Sequence, residues 1–222
     1  MTGEQLITLP EYSVEGFATA PAPWRLYDTL KRALDVLISG VGLVCALPFI
    51  AAVVAAIYLE DGVPAFYTQT RVGRGGLPFR VLKFRSMVKE AEARTGAVLA
   101  VRDDPRITQV GRILRKTAID ELPQLVNIFR GQMSFVGPRP ERPELVAPIL
   151  LRLSEFRLRE AIRPGLTGLA QVYGRYYTEP EEKLPYDLAY IERRSLWLDI
   201  HLFLHSWRIT SRGSWDSEQA ER

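Results

Sequence analysis

VLISGVGLVCALPFIAAVVAAIYL, residues 36–59, runs for 24 residues without a charge, and the architecture on either side depends on how it is read. As a straight helix it would reach about 36 Å, enough for a hydrocarbon core of about 30 Å. It is a poor cleavable leader: more than thirty residues precede it, including Glu4, Glu11, Glu15 and Asp28, and the run is too long for the apolar part of a signal peptide. Arg25, Lys31 and Arg32 flank it on one side and Arg71, Arg74, Arg80, Lys83 and Arg85 on the other. By the charge rule for membrane segments both ends therefore belong in the cytoplasm. Pro48 stands mid-run, where its missing N–H and its ring interrupt the helical ladder and leave halves of about 18 Å each. The expected element, over residues 25–60, is a re-entrant helix-break-helix that dips into the bilayer and returns. A single Pro-kinked span is the alternative.

Residues 1–24, interrupted by Pro10, Pro21 and Pro23, read as a flexible arm. After the apolar run, Ala65 to Thr70 and Pro78 to Met87 are strand-like around the turn Gly73-Arg74-Gly75-Gly76. The helix expected after a strand in a dinucleotide-binding fingerprint does not follow these glycines, so they make a hairpin turn. Helical spacing then predicts helices over about 86–95, 107–116, 121–130, 142–161 and 186–210. The fold class is mainly α with a small β-hairpin: a re-entrant membrane helix, a cytoplasmic catalytic domain over 61–210 and a tail over 211–222. Two helix faces, Leu145/Val146/Ile149/Leu150/Leu153/Phe156 and Leu196/Trp197/Ile200/Phe203/Leu204/Trp207, carry enough apolar surface, bordered by arginine or tryptophan, to lie on a membrane; core packing is the competing reading.

The composition, 47% apolar and 25% charged, is that of a folding chain. A single cysteine, Cys45, excludes a disulfide framework, and two histidines, His201 and His205, without a third ligand leave little for a transition metal. Carboxylates remain for Mg²⁺. Residues 71–116 hold an excess of eight positive charges, so this region should meet an anion. The densest stretch runs from Arg112 to Leu125 and contains Arg115, Lys116, Asp120 and Glu121, with Gly137-Pro138-Arg139-Pro140 close behind. Neighbouring side chains on a helix point about 100° apart, so Asp120 and Glu121 cannot share a proton face to face and must do different work. One could attack phosphorus while the other holds Mg²⁺. The plainer reading makes Asp120 an N-cap and Glu121 a partner of the helix dipole, yet capping leaves the crowd of cations unexplained. A membrane-anchored nucleic-acid binder would use the same charge, but no reading helix or stacking platform is visible. A non-enzymatic membrane adaptor is the other rival.

The order Lys31-Arg32-Ala33-Leu34-Asp35, the apolar run, Leu82-Lys83-Phe84-Arg85-Ser86-Met87, Asp104-Pro105-Arg106, Leu114-Arg115-Lys116-Thr117, Asp120-Glu121-Leu122-Pro123-Gln124-Leu125, Gly137-Pro138-Arg139-Pro140, Arg163-Pro164-Gly165 and Ser195-Leu196-Trp197-Leu198-Asp199 resembles the bacterial sugar transferases, the monotopic phosphoglycosyl transferases, over about Lys31 to Thr210. The resemblance implies transfer of a sugar 1-phosphate from a UDP-sugar to undecaprenyl phosphate with Mg²⁺ and release of UMP, at the cytoplasmic face of the bacterial inner membrane. This would be the first membrane step of glycoconjugate or exopolysaccharide synthesis. It implies Asp120 as the nucleophile that carries the phosphosugar and Glu121 as metal ligand. Arg115 and Arg139 would steady the diphosphate, and Lys83, Arg85, Arg163, Arg175 and Asp187 would contact substrate. It implies the re-entrant hairpin at Pro48 and the short form of the family. It gives no role to nucleic acid and leaves a homodimer open. Tyr173 stands where relatives usually carry Asn.

Overall fold

The computed structural model describes residues 26–91, 104–174 and 179–211. Its first element is one long helix, α1 (Leu26–Asp61), which continues through Pro48. The separation into two halves expected at Pro48 is therefore not seen in the backbone: the proline removes the one ladder bond to the Val44 carbonyl, and helix resumes on both sides. α1 is long and apolar enough to cross a membrane. Leu37, Ile38, Val41, Val44 and Leu47 are 50–67% exposed, so this face of α1 has no partner among the described residues.

The other face packs along the rest of the chain. Near its start Lys31 pairs with Asp199 at 2.6 Å, Arg32 donates to the carbonyls of Ile128 and Phe129, and Asp35 accepts from Ser134 Oγ and the Phe135 N–H. In its second half Val53 and Ile57 are buried against Ala65, Phe84 and Leu114. At its end Glu60 accepts from the N–H groups of Gln109 and Val110, and Asp61 lies 3.2 Å from Arg85.

The hairpin forms as expected: β1 (Phe66–Val72) and β2 (Pro78–Phe84) pair antiparallel from Phe66–Phe84 to Val72–Pro78. Gly75 and Gly76 supply the positive φ angles of the turn (68° and 76°), a conformation other residues rarely adopt. The helix expected from residue 86 is absent over Ser86–Ala91, because Val88 N–H is committed to the Arg106 carbonyl and Met87 bridges Ile107; residues 92–95 lie outside the described residues.

α2 (Gln109–Lys116) follows, capped by Thr108. A 3-10 turn over Ile119–Gln124 leads into α3 (Leu125–Phe129), so the helix expected over 121–130 is two pieces. β3 (Ser134–Val136), α4 (Pro143–Arg152), a second 3-10 stretch over Ser154–Ala161, β4 (Gly165–Thr167), α5 (Leu169–Tyr173), α6 (Pro180–Arg193) and α7 (Leu196–Ser211) complete the order. β3 and β4 pair parallel, a short sheet that no alternating pattern announced. The helix expected over 142–161 breaks at Leu153, and the one expected over 186–210 starts at Pro180 and breaks at Arg194 and Ser195.

The two faces read as membrane-active part company. Val146 and Phe156 are core, with Ile149, Leu150 and Leu153 packed beside them against Leu184, Leu188 and Ile191, so the α4 face is interior. On α7 only Leu202 is fully buried, while Trp197, Leu204 and Trp207 are 72%, 61% and 69% exposed. His201 bonds the Tyr173 hydroxyl at 2.9 Å.

Candidate active site

Asp120 and Glu121 lie in the 3-10 turn that follows α2, and three local choices put them there. Gly111 sits so close to the Ser86 carbonyl that a Cβ would collide with it, which lets α2 dock on the chain leaving β2. Arg115, one residue short of the end of α2, then reaches Ser86 Oγ with Nε at 2.8 Å. Ala118 adopts a left-handed conformation (φ 54°, ψ 17°), turning the chain from α2 into the 3-10 turn. A Cβ makes that conformation costly by about 1–2 kcal/mol, and such strain persists where the surroundings impose it. The capping reading fails here: the residue before the turn is Ala118, and no side chain caps it.

Glu121 is held from two directions. Lys83 Nζ, from β2, donates to its Oε1 at 2.6 Å, and Arg139 Nη2, from the turn after β3, donates to the same oxygen at 2.7 Å. Burial alone would raise the pKa of this carboxyl, but the charges and hydrogen bonds of Arg139 and Lys83 outweigh it and hold the group well below the usual carboxylate range. Asp120 is the opposite case. No described residue donates a hydrogen bond to it. Burial and the charge of Glu121 push its pKa up to about 6 against the attraction of Lys83, Arg115 and Arg139. One carboxylate is clamped and fully ionised; its neighbour is bare, in a field of cations, and ionised at neutral pH.

The supports of Lys83 and Arg139 are themselves fixed. Buried Asn127 of α3 accepts from Leu82 N–H at 3.0 Å and donates to the Arg80 carbonyl at 2.8 Å, pinning β2 to the turn beneath it. The Gly137-Pro138-Arg139-Pro140 turn lies on Arg163-Pro164-Gly165: Gly137 N–H donates to the Thr167 carbonyl at 2.8 Å and Gly165 N–H to the Pro138 carbonyl at 2.9 Å. A Cβ at Gly165 would collide with Gly137, so both glycines are required by close approach. Arg159 Nη2 then donates to the Arg139 carbonyl at 2.9 Å and lies 2.8 Å from Asp187 Oδ2.

Of the residues that the sequence put forward, the structure brings together Asp120, Glu121, Lys83, Arg115 and Arg139. Arg85 is not among them: it is buried, donates to the carbonyls of Asp61 and Gly62, and ties down the end of α1. Asp187 is buried against Arg159 and supports the Arg139 turn from behind, so it is not placed as a direct substrate contact. Arg163 donates to the Gly131 carbonyl and lines a different cavity. Arg175 lies outside the described residues. Asn127 and Arg159 were missed, although an Asn within the apolar run Leu125-Val126-Asn127-Ile128-Phe129 is a legible anomaly.

No group of three or more His, Cys, Asp or Glu side chains able to cage a metal occurs among the described residues. Mg²⁺ commonly needs less: one or two carboxylates, with substrate phosphates and waters completing its shell. Asp120 and Glu121 match that small donor set, with Glu121 Oε1 already taken by two cations and its other oxygen left over.

Known proteins resemble this chain over most of its length. The family model described as bacterial sugar transferase matches residues 26–213. The chain is 43% identical over 191 residues to a UDP-glucose:undecaprenyl-phosphate glucose-1-phosphate transferase of Caulobacter vibrioides, covering 84% of this chain and 71% of that one. It is 37% identical over 196 residues to a UDP-N-acetylgalactosamine-undecaprenyl-phosphate N-acetylgalactosaminephosphotransferase of Aeromonas hydrophila, covering 87% of this chain and 46% of the relative. With a UDP-glucose:undecaprenyl-phosphate glucose-1-phosphate transferase of Escherichia coli it shares 38% identity over 190 residues, or 80% and 41% of the two chains. The chain thus spans less than half the length of two of these relatives and most of the third. On a family match over residues 26–213 and a relative covered to 71% of its length, the chain belongs to the bacterial sugar transferase family.

Proposed function

We propose that the protein transfers a sugar 1-phosphate from a UDP-sugar to undecaprenyl phosphate in two displacements at phosphorus, with Asp120 as the nucleophile. The observation that carries this reading is the asymmetry of the pair: Glu121 spends an oxygen on Lys83 and Arg139, whereas Asp120 keeps its oxygens free of hydrogen bonds from described residues. The ionised Asp120 attacks the sugar-bearing phosphorus, the bond to the bridging oxygen breaks, and UMP leaves with that oxygen and its electron pair. The acceptor's phosphate oxygen then attacks the same phosphorus, releasing the carboxylate and giving undecaprenyl-diphospho-sugar. Lys83, Arg115 and Arg139 offset the repulsion between a carboxylate and a diphosphate, about 4 kcal/mol per pair of unit charges near a surface. Mg²⁺, bound through Glu121 and the donor's phosphates, would supply further charge neutralisation at the leaving group.

The membrane reading of α1 belongs with this proposal. A helix that crosses a bilayer carries one end away from the domain on the other side, yet α1 bonds one domain near both ends, at Tyr27 and Lys31 and again at Glu60 and Asp61. Its unpartnered face and the exposed Trp197 and Trp207 of α7 favour a protein seated in one leaflet, at the cytoplasmic face of the bacterial inner membrane, where both basic flanks stay inside. The relatives named above act on different sugars, glucose in two and N-acetylgalactosamine in one, so the donor is a UDP-sugar whose identity a screen for UMP release would assign.

The deciding experiment incubates the purified chain with such a donor and Mg²⁺ but no lipid acceptor. The protein should gain the mass of one phosphosugar, on Asp120, with one equivalent of UMP. UMP release that strictly requires the acceptor, with no mass gain, would refute the covalent route.

A further inference from the structure

We infer that the protein carries a second phosphate-binding site, separate from Asp120 and Glu121, which takes the anionic phosphodiester headgroup of a bilayer lipid. A small cleft open to solvent lies between the start of α1, β3, the end of the 3-10 stretch over Ser154–Ala161 and α6. Arg74 and Arg163 both line it. It is distinct from the reaction centre: none of Asp120, Glu121, Lys83, Arg115 or Arg139 lines it.

The charges in and beside this cavity are unequally matched. Lys31 pairs with Asp199, and Arg194 pairs with Asp28. The Arg74 side chain makes no hydrogen bond or ion pair with any described residue. Arg163 uses only Nε, on the Gly131 carbonyl, leaving both terminal nitrogens free among the described residues, and neighbouring Arg32 donates only to carbonyls. Burial, and then the nearby charges of Arg32 and Arg74, lower the pKa of Arg163 against the smaller attraction of Asp35 and Asp28. Asp35 and Asp28 also line the cavity, but neither forms an ion pair with Arg163 or Arg74, and Lys31, Arg74, Arg163 and Arg194 outnumber them; such an excess of cations is stabilised by an anion, and guanidiniums bind phosphate with paired donors.

Position selects the source of the phosphate. The cavity lies at the charged beginning of α1, immediately before the exposed apolar residues Leu37, Ile38 and Val41. In a bilayer that is the level of the headgroups, where basic pockets beside membrane helices take acidic lipids. A diacyl lipid could place its phosphate between Arg74 and Arg163 and lay its chains along α1. This rests on the reading that α1 sits in the membrane, so the test must separate the two.

The test uses the full chain in a neutral detergent micelle and follows Tm. A short-chain phosphatidylglycerol at ten times its Kd should raise Tm by about 3–5 °C. Short-chain phosphatidylcholine and inorganic phosphate at the same concentrations should do much less. Arg74→Gln, which breaks no bond to a described residue, should remove most of the shift, and Arg163→Gln should do the same if it folds. Equal shifts from both lipids, an undiminished shift in Arg74→Gln, or a full effect from inorganic phosphate alone would each overturn the proposal. Flotation of the wild-type chain with phosphatidylcholine vesicles reports on the membrane seat independently: the chain should float whether or not the headgroup site exists, and failure to float would remove the membrane reading.

Discussion

Two carboxylate clusters in this protein use the same materials to opposite ends. In one, Asp187 is sealed against Arg159, with Glu141 3.8 Å from the same guanidinium, and the pair holds the Arg139 turn through a carbonyl. In the other, Lys83 and Arg139 converge on Glu121 and leave Asp120 bare. The first is closed and neutralised, and it fixes a shape. The second keeps Asp120 among several cations without completing the pairing, and the incompleteness is what makes chemistry available there. Being charged and buried does not distinguish the two; where the cations converge does, for Arg159 lies against Asp187 itself, whereas Lys83 and Arg139 meet on Glu121 and not on Asp120.

The sharpest way to test that division is Asp120→Asn. An amide cannot act as the anionic nucleophile, so transfer should fall by about 10³-fold or more. Tm should rise by roughly 2–4 °C at neutral pH. The sign follows from the pKa: burial and Glu121 raise it from 3.8 to about 6 in the folded protein. The folded state therefore binds the proton more tightly than the unfolded chain, and stability is lost as pH rises from 3.8 through 6. Removing the charge removes that loss. By the same value, wild-type turnover should fall to half near pH 6 and decline further below it. A variant both inactive and less stable would mean that Asp120 is structural, like Asp187.

Arg139→Lys should slow transfer about 10–100-fold with little change in Tm, because an ammonium can meet Glu121 but cannot form a two-pronged contact with phosphate. Initial rates at saturating and limiting donor would measure it, and equal rates would reduce Arg139 to a clamp. Asp187→Asn should show the reverse pattern: a stability loss of about 3 kcal/mol from a stranded buried guanidinium, read by urea denaturation, with activity reduced less than tenfold where the protein is folded. Activity lost as completely as in Asp120→Asn, with the fold intact, would erase the distinction. The smallest effect belongs to Ala118→Gly. The left-handed conformation at φ 54° suits glycine, but glycine also loses more entropy on folding, so a gain of under about 1 kcal/mol is expected and a loss would show that Ala118 is not strained.

Much of this was legible in the order of residues. The hairpin followed from Gly73-Arg74-Gly75-Gly76, because only glycine turns the chain easily there. Asp120, Glu121, Lys83, Arg115 and Arg139 were nominated by charge density and by resemblance, and the fold brings them together. What stayed hidden depends on contacts made across long sequence separations. Leu145 to Phe156 and Leu196 to Trp207 have the same amphipathic character, but the first packs against α6 as core, whereas the second buries Leu202 beside Val136, Val172 and Tyr190 and leaves Trp197, Leu204 and Trp207 exposed. Ser86–Ala91 has helical composition, yet its backbone is claimed by residues 106–107. Arg85 and Arg163 look like other site arginines in the sequence; their fates were settled by carbonyls at the end of α1 and at Gly131.

The bond from Glu60 to the first N–H groups of α2 has a mechanical meaning. α2 is eight residues long, a strut of about 12 Å. One end is bolted to the last turn of the apolar helix and the other delivers Arg115 to the reaction centre. If α1 sits in a bilayer as proposed, the height of Asp120 above the lipid is set by a rigid part of known length rather than by a tether. Under the proposed function the protein would work as a gauge: a water-borne nucleotide would descend from one side, a lipid phosphate would be presented from the other, and the strut would fix the plane in which they meet.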